Sequence, residues 1–283
     1  MIIVRTHVFG ERERTLMKRL QNVRTHPVVV AVDETKGSID VSPFQKISIT
    51  KDAYARLGLY CPKDFTWRNG DYVFYLARNQ YPAEKYFWML EPDVEHTFAS
   101  DSALFDRFDR QTDVDLLTPY FRAPTTGWWW SQTARPRPTG VKRAMFCIVR
   151  LSAHAIDLCL QERRKGRFSL RDRLFWPNDE AFVATEIVYG GLSAADLNDF
   201  GPPAYSSDTL GFDKPIDGAA GTLIPLQSMI YHPVLYGSAY RERIERISEA
   251  ERTSNHWNKR RKLQRMLSVF SLLPSHSVRT KRR

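Results

Sequence analysis

The chain has 283 residues, of which 42% are hydrophobic and 26% are charged, and its formal net charge is +10. This composition excludes a disordered chain and a collagen-like fibre, and the length allows one large domain or two small ones with a buried core. The positive charge admits RNA, DNA or acidic lipid as a partner and does not choose among them.

Cysteine usage and the N-terminus indicate the compartment. The three cysteines, Cys61, Cys147 and Cys159, lack a CxxC spacing and leave one thiol unpaired in any disulfide scheme. Arg5 follows an apolar run that is too short for a signal peptide, and no later apolar run approaches the roughly 18 residues of a spanning helix. We therefore predict a cytoplasmic protein, soluble or held peripherally on the inner face of the membrane.

The first third of the chain alternates β-rich and helix-like segments. The pattern predicts strands at 2–8, 28–32, 46–50 and 86–90, and helices at 11–22, 51–57 and 71–79. The valine run 28–32 is typical of a strand that is buried on both faces. The alternation predicts an α/β fold in which helices flank a mostly parallel sheet with right-handed crossovers.

Polar side chains follow three of these strands, at the edge where ligands bind in open parallel sheets. Arg5 and Thr6 end the first strand, and Asp33 ends the second. Glu91 and Asp93 leave the fourth strand at positions i and i+2, with Pro92 between them. Such a pair can hold Mg²⁺ or Mn²⁺ that also takes oxygens from a diphosphate, although a plain acidic turn has the same pattern.

The middle of the chain, 118–140, is rich in turn residues and contains three consecutive tryptophans, Trp128, Trp129 and Trp130. The three cannot all point inward, so at least one is a stacking platform in a cleft or part of a cap over the sheet. Beyond it we predict a strand at 144–151, a helix at 152–162 and a second helix at 179–189, followed by a loop at 201–221.

The C-terminal end carries the basic charge. Residues 241–283 contain 13 Lys and Arg against 4 Asp and Glu, whereas residues 1–240 are nearly neutral. Residues 248–273 can be drawn as a basic amphipathic helix with Trp257 and Phe270, which is typical of segments that bind anionic membranes. A solvated, disordered tail is the alternative, and nucleic acid is the less favoured partner. We predict a domain at 1–240 and a basic helical tail at 241–283.

Two segments in order carry a family resemblance. The run LYCPKDFTWRNGDY at 59–72 and the aromatic strand with its acidic end, YFWMLEPDV at 86–94, together resemble nucleotide-sugar-dependent glycosyltransferases of the GT-A fold. They are similar especially to bacterial members with a degenerate form of the Asp-x-Asp motif, here Glu91-Pro92-Asp93. The resemblance covers about 1–235. It implies a GT-A-like, Rossmann-like domain that transfers a sugar from a nucleotide-diphosphate donor to a hydroxyl of a glycan or glycolipid, a hexosyltransferase of polysaccharide biosynthesis.

The resemblance also implies roles for individual residues. Glu91, Asp93 and His232 would bind Mn²⁺ or Mg²⁺, but Glu91 replaces the usual aspartate, so Asp93 alone or a metal-free site with Arg or Lys stays open. Asp179 or Glu180, at a predicted helix start, would be the general base. The residues expected to bind the donor are Arg5, Thr6, Asp33, Trp128, Trp129 and Arg135. Helix-dipole stabilisation of Asp179 and Glu180, and a buried structural His232, are the alternative interpretations.

The sequence contains no GxGxxG, GxxxxGK[ST] or GxSxG motif, so dinucleotide enzymes, P-loop ATPases and serine hydrolases are unsupported. Two rivals stay open. One is a non-catalytic GT-A-like binding protein that uses its basic tail for nucleic acid or an anionic membrane. The other is a metal-dependent hydrolase or nuclease that uses the same carboxylates.

Overall fold

The computed structural model describes residues 1–212, 214–219, 223 and 227–253. The predicted tail helix beyond residue 253, with Trp257 and Phe270, lies outside the described residues. The strands are β1 Ile2–Thr6, β2 Val28–Asp33, β3 Lys46–Ile49, β4 Tyr86–Leu90, β5 Glu95–His96, β6 Leu116–Thr118, β7 Ile148–Ser152, β8 Ala194–Asp196, β9 Ile216–Asp217, β10 Ile230–Tyr231 and β11 Val234–Leu235. The helices are α1 Glu11–Leu20, α2 Lys51–Arg56, α3 Phe65–Arg68, α4 Tyr72–Gln80, α5 Asp101–Asp109, α6 Ala153–Gly166, α7 Leu170–Leu174, α8 Asp179–Tyr189 and α9 Gly237–Thr253.

Seven strands form one sheet in the order β3-β2-β1-β4-β7-β6-β8. Strands β3, β2, β1 and β4 are mutually parallel, and β7 runs antiparallel to both of its neighbours. The predicted α/β fold, a mostly parallel sheet flanked by helices, is confirmed. Because Val4 pairs with Leu90 in the register of β1 and β4, Arg5 and Glu91 leave adjacent strands side by side.

Both faces of the sheet are buried. In β2, Val29 and Ala31 belong to the core on one face, and Val30 and Val32 belong to the core on the other. Helices cover both faces, so successive side chains of a central strand all leave water, as the valine run predicts. The sheet therefore provides a rigid base from whose carboxyl edge the polar side chains project.

Local chemistry sets most of the helix starts. The hydroxyl groups of Thr50 and Ser152 accept hydrogen bonds from the N–H groups of Ala53 and Ala155, as expected for N-caps. The prediction that a strand begins at 144 is wrong. The backbone of Arg143 instead forms an isolated antiparallel bridge with that of Arg122, and the Met145 N–H donates to the Pro119 carbonyl. This segment therefore pairs with the loop at 119–122, and β7 begins only at Ile148.

The C-terminal part of the domain returns to the carboxyl edge of the sheet. Strand β10 pairs antiparallel with β5, which follows directly after the acidic turn at 91–93. Helix α9 then crosses the predicted boundary at 240. Among the helices of the described residues, none combines the length and the apolar character needed to cross a bilayer.

Candidate functional site

Glu91, Asp93 and His232 form a cluster at the carboxyl end of β4. One possible ligand atom from each lies within 4.8 Å of the other two. The His232 Nε2 atom is 3.6 Å from a Glu91 oxygen and 3.5 Å from an Asp93 oxygen. The backbone holds this arrangement, because the N–H of Val234 bonds to the Asp93 carbonyl at 2.8 Å. Two carboxylates and one imidazole suit a divalent cation such as Mn²⁺.

A hydrogen bond fixes the orientation of the His232 ring. Its Nδ1 atom lies 2.8 Å from the Gly211 carbonyl oxygen, which only accepts, so Nδ1 carries a hydrogen and Nε2 points to the carboxylates. Burial favours the neutral ring, but Cys147, Asp93 and Glu91 outweigh it and raise the pKa of His232. A cation and the Nε2 proton would therefore compete for the same position.

Arg5 joins the cluster from β1. One terminal nitrogen of its guanidinium lies 2.5 Å from a Glu91 oxygen. Burial opposes ionisation of Glu91, but Arg5 and His232 prevail and lower its pKa to about 2. The other terminal nitrogen of Arg5 is buried without a hydrogen-bond partner among the described residues. It packs against Gly70, where a Cβ atom would collide with it and would approach Asp179 to 2.6 Å.

Asp179 begins α8 on the other side of Arg5. It is 4% exposed, and its two oxygens accept hydrogen bonds from the Gly70 N–H at 2.7 Å and the Glu180 N–H at 2.8 Å. Burial and the nearby Asp71 carboxylate raise the pKa of Asp179 to about 7, against the opposing effect of Arg5. The carboxyl group can therefore hold or release a proton near neutral pH.

Glu180, the second residue of α8, interacts electrostatically with Glu91 of the cluster that could bind a metal. It is 7% exposed, and burial followed by the charge of Asp179 raises its pKa well above the ordinary value. Arg143 and the N–H of Phe146 favour its ionised form, and the charge of Glu91 opposes it. The structure thus brings the two predicted carboxylates of α8 to the same edge as the cluster.

Buried polar residues that the sequence did not single out support this edge. Arg163 of α6 binds both oxygens of Asp71, at 2.8 and 2.9 Å, and donates to the Pro177 carbonyl at 2.8 Å. Arg143 lies over the rings of Tyr120 and Trp128, and its Nε is buried without a partner among the described residues. A mid-helix arginine with apolar neighbours at helical spacing is the sequence signal that could have identified Arg163.

The remaining predicted donor residues have other neighbours. The Thr6 hydroxyl donates to the Val8 carbonyl, and Asp33 accepts from Thr35. None of the three tryptophans is fully buried, and Trp129 is 38% exposed. Arg135 forms ion pairs with Glu162 and Asp172, at 2.8 and 2.6 Å, so its charge anchors the tryptophan segment to α6 and α7.

No family model and no curated protein sequence matches the chain. Among solved structures, it is similar to a glycosyltransferase involved in the glycosylation of the major capsid of PBCV-1, at 11% identity and a TM-score of 0.39 over 88% of this chain and 98% of that one. It is also similar to core-mannan synthase A from Aspergillus fumigatus in its Mn/GDP form, at 11% identity and a TM-score of 0.38 over 71% and 73% of the two chains.

Proposed function

We propose that the chain is a glycosyltransferase that moves a sugar from a nucleotide-diphosphate donor to a hydroxyl of a glycan or glycolipid. One observation supports this most: a cluster of metal-type ligands, Glu91, Asp93 and His232, shares the carboxyl edge of the sheet with the buried carboxyls of Asp179 and Glu180. A cation held by the metal-type ligands would stabilise an anionic leaving group, and a buried carboxyl of α8 would remove the proton from an attacking hydroxyl.

Glu91, Asp93 and His232 are the residues that would hold Mn²⁺ or Mg²⁺. The cation would neutralise charge on the diphosphate leaving group. Arg5 already neutralises part of the charge of Glu91, so Asp93 is the carboxylate with less competition, and His232 would bind a cation after losing its Nε2 proton. Arg5, Thr6 and Asp33 would line the nucleotide side of the edge, with Trp128 or Trp129 as a stacking surface.

Glu180 is the stronger candidate for the general base, and Asp179 is a positioning residue. Both Asp179 oxygens are held by backbone N–H groups, whereas Glu180 lies within the electrostatic influence of Glu91 and Arg143. Glu180→Gln should lower kcat about 10²- to 10⁴-fold, the usual contribution of a general base. Asp179→Asn should instead shift the pH dependence of kcat and retain more activity.

Donor binding is tested by thermal unfolding with a panel of UDP-, GDP-, CMP- and dTDP-sugars, each with and without Mn²⁺. A ligand at 100 times its Kd adds about 2.7 kcal/mol to the free energy of unfolding. We expect one nucleotide class to raise the melting temperature only with Mn²⁺. Asp93→Asn should lose this effect, and Asp208→Asn, at an exposed loop position, should keep it. Absence of a shift with every sugar nucleotide would contradict the proposal.

The ion pair between Arg5 and Glu91 favours a second candidate, a non-catalytic protein of the same fold, because it occupies one acidic ligand. Sugar-nucleotide binding without transfer to any acceptor would select it. Release of free sugar at the same rate without acceptor would select the hydrolase alternative. As a location we propose the cytoplasm, with peripheral attachment to the inner face of the membrane.

A further inference from the structure

The three most exposed large apolar side chains of the described residues, and a fourth that is about half exposed, lie in and beside α7. Phe168, Leu170 and Leu174 are 79%, 76% and 70% exposed, and Phe175 is 47% exposed. Leu170 and Leu174 are one helical turn apart and share a face of α7. Single exposed apolar residues are ordinary, but four within eight consecutive residues are a cluster that marks an interaction surface.

Cations surround these apolar side chains. Five exposed basic residues belong to the same segment: Arg164, Lys165, Arg167, Arg171 and Arg173. We call them, with the four apolar residues, the α7 patch. Lys165 pairs with Glu162 and Arg171 pairs with the buried Asp172, whereas Arg164, Arg167 and Arg173 form no ion pair within the described residues. The Arg167 guanidinium lies 4.8 Å from the Phe168 ring centroid, which places charge and apolar surface side by side.

The segment is anchored to the domain behind it. Arg164 and Arg167 donate hydrogen bonds to the carbonyls of Leu57 and Gly58, and Ser169 caps α7 through the Asp172 N–H. The apolar side chains are therefore displayed by an ordered helix and its flanks. Their exposure costs free energy in water that contact with an apolar phase would recover.

An anionic bilayer surface satisfies both components of the patch. Exposed aromatic and leucine side chains insert at the boundary between headgroups and acyl chains, and each Lys or Arg near acidic lipid adds attraction. A second copy of the chain fits less well, because a symmetric contact would bring the same five cations face to face. We propose that the α7 patch binds the surface of an anionic lipid bilayer. This attachment site is separate from the basic tail and does not depend on the proposed transfer activity.

Flotation of the full-length chain with phosphatidylserine-containing vesicles, and with phosphatidylcholine vesicles, tests the proposal. We expect flotation with the acidic vesicles. Phe168→Ser combined with Leu170→Ser should lower the partition coefficient at least about tenfold. Val8→Ser combined with Phe212→Ser, a similar pair of apolar-to-serine changes at exposed positions elsewhere, should leave it unchanged. All four side chains are more than 40% exposed, so both variants should keep the wild-type melting temperature.

Charge variants separate the patch from the tail. Arg167→Gln with Arg173→Gln should weaken binding by roughly fivefold per cation removed. In a variant of the tail with Lys259, Arg260, Arg261 and Lys262 changed to Gln, the two serine changes of the patch should lower the partition coefficient by the same factor as in the wild type. The proposal is overturned if the wild-type chain stays unbound or if the serine variant floats like the wild type. It is also overturned if that variant converts a dimer into a monomer in light scattering, which would identify a self-association surface.

Discussion

Asp179 is a buried carboxyl group, and the cation that opposes its raised pKa, Arg5, is shared with Glu91. The guanidinium is hydrogen-bonded to Glu91, whose pKa is therefore lowered to about 2, whereas the pKa of Asp179 is raised to about 7. Next to Arg5, Glu91 is therefore an anion, whereas Asp179 can carry a proton near neutral pH. Such separation of neighbouring carboxyls is the electrostatic pattern that acid-base chemistry uses.

The raised pKa of Asp179 predicts a pH dependence of stability. The unfolded chain loses this proton near pH 4 and the folded chain near pH 7, so the folded state binds more protons between the two values. The free energy of unfolding should therefore fall as the pH rises from about 4 to about 7, by about 1.4 kcal/mol per pH unit from this group. In urea unfolding at pH 5 and pH 7, Asp179→Asn should remove that part of the decline.

The control for this experiment is Asp208→Asn, at an exposed position of the loop before β9. Its unfolding free energy should follow the wild-type pH dependence. If Asp179→Asn and wild type stay parallel between pH 5 and pH 7, Asp179 does not carry the bound proton.

Gly70 leaves the space that Arg5 occupies. A methyl group at Gly70 would overlap the Arg5 guanidinium and crowd Asp179, so Gly70→Ala should push Arg5 away from Glu91. We expect a loss of about 1–3 kcal/mol of stability, the usual cost of overpacking, together with weaker Mn²⁺-dependent stabilisation. Gly211→Ala, where a Cβ meets nothing within 4 Å, should change neither quantity measurably. If Gly70→Ala keeps both the stability and the Mn²⁺-dependent stabilisation of the wild type, Arg5 does not occupy the space beside Gly70.

At the scale of elements, α4, α6 and the approach to α8 are joined by the buried ion pair of Arg163 and Asp71. Arg163 is 1% exposed, and the Tyr75 hydroxyl also donates to Asp71 at 2.6 Å. Because Arg163 also holds the Pro177 carbonyl, the pair sets where α8 begins and hence where Asp179 lies. The edge that carries the candidate site therefore depends on contacts one layer behind it.

Removing one member of this pair should be costly. Arg163→Met leaves the Asp71 carboxylate buried without its cation and should reduce the free energy of unfolding by about 3–5 kcal/mol. Arg56→Met, at an exposed position of α2, should cost no more than about 0.5 kcal/mol. Denaturant unfolding of both variants measures the difference, and equal losses would show that the pair does not bind these helices together.

How far the sequence predicts each element depends on how local its determinants are. The strand β2, the N-caps at Thr50 and Ser152 and the helix at 179–189 follow from residues within one or two turns, and the structure contains all of them. The start of β7 depends on which segment pairs with the residues before it, and that segment is the loop at 119–122, about twenty residues earlier in the chain. The three-residue strands β6 and β8 are too short to show a period of two and were not predicted.

At the scale of the whole molecule, the charge is divided between two regions. Residues 1–240 are nearly neutral overall, whereas residues 254–283 contain nine Lys and Arg and no Asp or Glu. Binding of the tail to an anionic polymer should therefore be independent of the site. Neutralising Lys259, Arg260, Arg261 and Lys262 to Gln should lower the salt concentration that elutes the chain from heparin. The Mn²⁺-dependent thermal shift should stay unchanged, and its loss would show that the tail and the site are coupled.

The acidic turn and the α8 carboxyls are visible in the sequence because each follows a recognisable strand or begins a recognisable helix. Their neighbours Arg143 and Cys147 are not, because only the antiparallel pairing of β7 with β4 brings that segment to the same edge. Periodicity identifies elements, and the pairing of elements far apart in the chain assembles the site.

The pairing of β10 with β5 has a consequence for biosynthesis. His232 joins Glu91 and Asp93 only after about 140 further residues have been made and the returning strand has docked. A ribosome-bound chain that stops short of this strand would carry the acidic pair without its imidazole. Metal affinity would then appear late, once β10 has been made and has docked against β5.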